Sequence, residues 1–304
     1  MMSDASRAMV LASFLGDSLA LGAHWIYNTK DIAQRFGRVD RLLAPQPDSF
    51  HAPKGAGEFT HYGDQTLVLL RVLAQSRGFD LQAFSRAWQD FFAAYSGYFD
   101  GATKNTLTGY KKGLDPEEAG SSSNDLAGAG RIAPLVCLLQ DREDELVSAA
   151  RAQTSMTHRD PLVVDSAEFF ARTTLLVLQG QSPVAALEQA ASRDYGHLPA
   201  REWLEKGLQS AGQETVPAIA GFGKTCHVPH AFPGTVQIIA RFEQDLQEGL
   251  VQNVMAGGDS AARGLLAGMV LGAHHGQKAI PRNWLDDLKA RQEIESLLDT
   301  ISGS

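Results

Sequence analysis

Apolar residues fall at spacings of three and four along most of the chain, the period of helices that bury one face. In residues 81–95, LQAFSRAWQDFFAAY, the positions Leu81, Phe84, Trp88, Phe91, Phe92 and Tyr95 share that face. Residues 66–77, TLVLLRVLAQSR, are more uniformly apolar, as in a helix buried nearly all round. The pattern continues over 131–139, 161–180, 182–192 and 235–255, and the first 25 residues read as another internal helix. Thr66, Ser182 and Thr235 stand where N-caps are needed, and Gly180 where a helix would stop. No series of alternating strands with hairpin turns interrupts the pattern. The expectation is an all-α chain.

Three stretches escape it: 38–65, 97–130 and 212–234, each rich in Gly, Ser, His or Pro. Connections of that length in a helical domain tend to carry function or to be disordered. No shift in composition divides the chain, so 1–304 reads as a single domain.

Charge and cysteine content narrow the function. With 35 acidic against 27 basic residues the net charge is -8, which argues against direct nucleic-acid binding along a phosphate backbone. A small phosphorylated ligand, needing only local donors, is still allowed. The two cysteines, Cys137 and Cys226, form no CxxC pair, so neither a disulfide framework nor a thiolate zinc site is expected. A reducing cytoplasm suits them. The first residues lack the basic start of a signal peptide, and the apolar run Leu265–Ala273 is too short to span a bilayer.

Three Gly-Asp-polar steps stand out: Gly16-Asp17-Ser18, Gly63-Asp64-Gln65 and Gly258-Asp259-Ser260. Singly, each is best read as a helix cap, since Asp and Ser accept orphan N–H bonds. Together they suggest helix starts converging on one polar pocket, where carboxylates bind a hard cation or activate water. Glu58 lies close to Asp64 in sequence. Arg131 follows a loop of small residues, and His158 precedes Asp160-Pro161 and a new helix; both suit contacts with phosphate or ribose. Cys226, His227 and His230 hint at a metal, but no second cysteine pair completes a zinc site. Gly264, Gly268, Gly272 and Gly276 recur every four residues and are expected to let another helix approach closely.

Taken in order, GDSLALGAHW (16–25), GEFTHYGDQT (57–66), GAGRIAPL (128–135), TSMTHRDP (154–161) and the C-terminal GGDSAARG, GMVLGAHHG and IPRNW resemble the ADP-ribosylglycohydrolase family, including its crystallin J1-like branch. The resemblance implies a single orthogonally packed helical bundle. It also implies a cleft for ADP-ribose joined to an acceptor, with two magnesium ions. The family's ligands come from a Thr-Asp-Asp-Thr stretch and a Gly-Gly-Asp-Thr-Asp-Thr stretch. Here the first reads Gly63-Asp64-Gln65-Thr66 and the second Gly257-Gly258-Asp259-Ser260-Ala261-Ala262. Asp64 and Asp259 remain at ligand positions, while Gly63, Gln65, Ala261 and Ala262 replace the rest. Magnesium wants six oxygens in octahedral geometry. The expectation is one magnesium between Asp64 and Asp259, or none, with Arg263 positioned to pair with an aspartate or a phosphate.

The resulting expectation is a hydrolase of an ADP-ribosyl or related N- or O-glycosidic linkage. Asp64 and Asp259 would position water or one cation, and Glu58 would serve as general base. Asp17, Arg131, His158 and Ser260 would contact substrate. The alternative is a non-catalytic ADP-ribose- or nucleotide-binding protein, or a crystallin-like structural protein, on the same scaffold.

Overall fold

The glycine stripe decides the centre of the molecule. In the computed structural model, which describes residues 2–303, the helix Ser260–His275 lies against the N-terminal helix Asp4–Leu21. A Cβ on Gly264 would stand 2.5 Å from the Gly16 carbonyl oxygen, and one on Gly268 2.2 Å from that of Ala12. One on Gly272 would stand 2.7 Å from the Ala8 oxygen. With no side chain in the way the two backbones touch, and Ser13 Oγ donates across the seam to the Leu265 carbonyl at 2.9 Å. The glycines are packing residues.

Around this pair lie Pro161–Leu178, Val228–Arg241 and Leu246–Met255, all in contact with the glycine helix. The helix His61–Ser76 leans on Leu81–Ala93 and on the C-terminal Arg291–Ser302. The fold is all-α. Among the described residues, extended pairing is confined to two isolated bridges, Ser121 with His158 and Asp125 with His227. No helix among them is long and apolar enough to cross a membrane, and both cysteines are free thiols.

Several boundaries differ from the sequence expectation for local reasons. The helix expected over 66–77 begins at His61, because Thr60 caps it by accepting from the Tyr62 N–H at 3.1 Å. Thr66 is inside it, its hydroxyl turned back onto the Tyr62 carbonyl. The single helix expected over 235–255 is two, Val228–Arg241 and Leu246–Met255. Asp245 caps the second by accepting from the Glu248 N–H, and Thr235 sits mid-helix on the Ala231 carbonyl. Two stretches read as irregular hold helices of their own, Gly101–Lys111 and Thr215–Phe222.

Candidate functional site

The site is built from a corner where the two ends of the chain cross. The Trp25 N–H donates to the Gly258 carbonyl at 3.0 Å, and the Gly258 N–H returns to Ile26 at 2.9 Å. Trp25 has φ +64°, a left-handed conformation that costs a bulky residue of order 1–3 kcal/mol and tends to persist at functional sites. Gly257 and Gly258 are left-handed too, and a Cβ on Gly258 would stand 2.1 Å from the Lys224 carbonyl oxygen. The glycine pair thus allows a tight turn that delivers Asp259 to the N-cap of the glycine helix. There Oδ1 accepts from the Ala262 N–H (3.2 Å), and Oδ2 accepts from Trp25 Nε1 and the Tyr62 hydroxyl (3.1 Å each).

Beside Asp259 lies Asp125, and next to Asp125 lies Asp100, two carboxylates that the sequence did not single out. Asp125 accepts from the Ala127 N–H at 2.9 Å, with the Tyr62 hydroxyl 3.4 Å from its other oxygen. Asp100 caps Gly101–Lys111 by accepting from the Thr103 N–H at 2.8 Å. Donor atoms of Asp125, Cys226 and Asp259 lie within 4.8 Å of one another, as do those of Asp100, Asp125 and His158. A cavity of about 410 Å³ opens onto them, with Trp25, Tyr27, Tyr98, Asp100, Asp125 and Cys226 in its wall.

Burial raises Asp125 well above the usual carboxylate range, and the charge of Asp259 adds to the effect. Burial also raises Asp259, against the hydrogen bonds from Trp25 and Ala262. For Asp100 burial pulls upward, but the His61 imidazole, 3.7 Å from Oδ2, and His158 outweigh it and hold the carboxyl well below its usual range. Burial lowers His158 to about 3 and leaves the ring neutral.

Asp64 and Glu58 belong to different surroundings. Asp64 Oδ2 carries the Lys54 ammonium at 2.6 Å and the Tyr95 hydroxyl at 2.7 Å. Burial raises its pKa, opposed by those partners. Glu58 accepts from the Gly55 N–H, and Glu58 and Asp64 line a separate cavity of about 230 Å³. Asp17, buried mid-helix, reaches the start of His61–Ser76 and accepts from the Thr60 N–H (2.8 Å), the Thr60 hydroxyl (2.6 Å) and the Gly63 N–H (3.2 Å). A Cβ on Gly63 would stand 2.6 Å from Asp17 Oδ2, so the glycine makes room for this cap. Burial pushes Asp17 up to about 7 despite these bonds.

The remaining sequence candidates are enclosed by protein. Arg131 donates to Gln65 Oε1 (2.8 Å), Gln153 Oε1 (3.1 Å) and Thr157 Oγ1 (2.6 Å), a buried guanidinium held by neutral groups and lowered by burial to about 10. Arg263 is equally buried. It binds Asn253 and the Gly257 carbonyl (2.7 Å), pairing with neither Asp64 nor Asp259. The Ser260 hydroxyl is buried without a hydrogen bond. His158 Nδ1 meets Thr157 Oγ1 at 2.9 Å.

These surroundings decide whether paired magnesium ions fit. Asp64 already holds an ammonium, and both Asp259 oxygens accept hydrogen bonds. Gln65 Oε1 is shared by Arg131 and Trp88, while Gly63, Ala261 and Ala262 bring no oxygen-bearing side chain. Even with water completing each shell, two carboxylates, one of them already paired with an ammonium, are too few to hold two ions. The family's dimetal centre does not fit these residues.

Asp100 and Asp125 had faint sequence signals. Asp100 directly precedes Gly101-Ala102-Thr103, where an N-cap belongs, and Asp125 lies inside the small-residue loop that leads to Arg131. His24 and His51, both buried against Trp25, gave none.

Known proteins resemble this chain over nearly its full length. A profile described as ADP-ribosylglycohydrolase matches residues 2–304. Crystallin J1A of Tripedalia cystophora is 23% identical across 98% of this chain and 96% of its own. ADP-ribosylhydrolase ARH3 of Bos taurus is 23% identical across 97% and 91%. A solved structure from an ADP-ribosylglycohydrolase-related protein complex superposes with a TM-score of 0.76 at 24% identity, covering 98% of this chain and 96% of that one. At that identity the likeness speaks for the fold alone.

Proposed function

The chain belongs to the ADP-ribosylglycohydrolase family, and from that premise we propose that it hydrolyses an ADP-ribosyl or related glycosidic bond in the cavity beside Asp259. The supporting observation is the pair Asp100 and Asp125 in the wall of that cavity, with a donor atom of the buried Asp259 within 4.8 Å of Asp125. Glycosidic cleavage develops positive charge on the sugar, which fixed carboxylates in a dry site stabilise strongly. Trp25, Tyr27 and Tyr98 offer flat faces for a base or sugar, and Ser121, Ser122 and Ser123 offer polar groups at the rim. Asp259 orients the attacking water. Asp64 and Glu58, in the neighbouring cavity, support the helix start that carries Tyr62. The whole chain works as one domain in the cytoplasm, a setting that suits its free thiols.

A second reading is favoured by the ammonium on Asp64: a non-catalytic ADP-ribose binder, or a crystallin-like protein, that has given up the metals. Incubation with ADP-ribosylated peptides, read by released ADP-ribose, separates the two. Hydrolysis lost in both Asp259→Ala and Asp125→Ala supports the enzyme, whereas turnover surviving in both overturns the assignment of the cavity. Calorimetric binding of ADP-ribose without turnover supports the binder. Absence of both supports a structural role.

A further inference from the structure

We propose that Asp100, Asp125 and His158 form a site for one transition-metal dication of the zinc class, apart from the positions at which the family holds magnesium. The site lies at the cavity described above, yet binding of the ion does not depend on the hydrolase reading.

Geometry carries the argument. A nitrogen of His158 and carboxylate oxygens of Asp100 and Asp125 lie within 4.8 Å of one another, and all three residues are at least nine-tenths buried. Donors of a tetrahedral zinc ion, each about 2.0–2.1 Å from the metal, stand about 3.4 Å apart, so the three groups close the shell by moving inward by at most about 1.4 Å. His158 is oriented for it. Its Nδ1 is anchored on Thr157 Oγ1, which Arg131 Nη2 approaches in turn at 2.6 Å. In the tautomer whose Nδ1–H donates to Thr157, a lone pair is left on Nε2, the arrangement that partners behind metal-bound histidines usually impose. His158 Nε2 is buried without a hydrogen-bond partner in the protein, and a buried nitrogen left unpaired costs free energy. His61 Nε2, also without a hydrogen bond, stands 3.7 Å from Asp100 Oδ2 and offers a further imidazole.

The donor types select the metal class. Magnesium takes oxygen ligands, whereas imidazole suits zinc and its neighbours in the first transition row. Two carboxylates balance the charge of one dication. Cys226 lies across the shared Asp125 from this group, so a sulfur donor stands one carboxylate away.

The test uses the full chain and metal alone. Cobalt(II), as a spectroscopic stand-in for zinc, is titrated into wild type while the visible bands and bound stoichiometry are followed. One ion per chain is expected, with zinc competing for it and magnesium not. Asp125→Asn and His158→Gln should each weaken binding by at least about tenfold, while Asp64→Asn leaves it unchanged. No cobalt binding by wild type overturns the proposal. So does binding that survives both variants, or binding lost only in Asp64→Asn. Should a variant fail to fold, wild type decides: proton NMR with cobalt must show shifted imidazole resonances from His158, and their absence overturns the site.

Discussion

The Lys54 ammonium lies 2.6 Å from Asp64 Oδ2, with both side chains about 15% exposed or less. A tethered cation therefore sits on the one carboxylate retained in the first family ligand stretch. Lys54→Met would leave that largely buried carboxylate without its cation and close enough to Asp17 for their charges to repel. Breaking a buried pair costs roughly 3–5 kcal/mol, and the residual exposure brings the expected loss to about 2 kcal/mol. Adding Asp64→Asn should recover much of it. Denaturant midpoints of the two single variants and the double variant check this, and simple additivity would refute the pairing.

Asp17 should make stability fall as pH rises. Its folded pKa is about 7 against 3.8 for a free side chain, so between those values the folded chain holds a proton that the unfolded chain has released. The penalty grows across that window and levels off above it, reaching about 4 kcal/mol at most. Relative to wild type, Asp17→Asn should gain stability between pH 4 and 7. Urea midpoints across that range read the difference, and a gap that stays constant with pH would contradict the assignment.

His51 should act with the opposite slope. Burial, then the charges of His61 and Lys54, lower it to about 3 from 6.5. The unfolded chain therefore binds a proton first as pH drops, and stability present above 6.5 is lost on the way towards 3. His51→Gln should flatten that acid limb in thermal melts from pH 7 to 4. An unchanged acid slope would mean that the ring protonates freely in the fold.

Gly268→Ala should cost about 3 kcal/mol or more, because its Cβ would land 2.2 Å from the Ala12 carbonyl oxygen and backbone would have to move. Gly78→Ala, where a Cβ meets nothing within 4 Å, should change stability by less than about 1 kcal/mol. Equal losses in the two variants would show that the stripe is not a close-packed seam.

Much of this was legible from residues alone. The three-and-four spacing marked the long buried helices, and Ser182 does cap Pro183–Ala191 by accepting from the Ala185 N–H. The stripe from Gly264 onward announced a close helix contact without saying which helix would fill it. Boundaries went astray where the local caps Thr60 and Asp245 went unread, and the first of them is itself held from far away. Asp17 reaches 43 positions along the chain to hold the start of His61–Ser76, and no local pattern encodes that. The same limit governed the site. Asp64 and Asp259 were conspicuous as repeated Gly-Asp steps, yet what each carboxylate faces is set by Lys54, Tyr95, Trp25 and Tyr62. Asp100 and Asp125 were inconspicuous because a capping aspartate and a loop aspartate look alike until the fold brings them together.

The seam between the first and last thirds of the chain also has a consequence for assembly. Ser13 and Leu265 are 252 positions apart, and the corner that seats Asp259 depends on Trp25 meeting Gly258. Contacts of such separation form slowly, since a long loop must close before they stabilise anything. During synthesis the helix Asp4–Leu21 is made long before Ser260–His275, and its small-residue face waits uncovered for that partner. The corner that seats Asp259 thus comes into being only after Gly258 has been made.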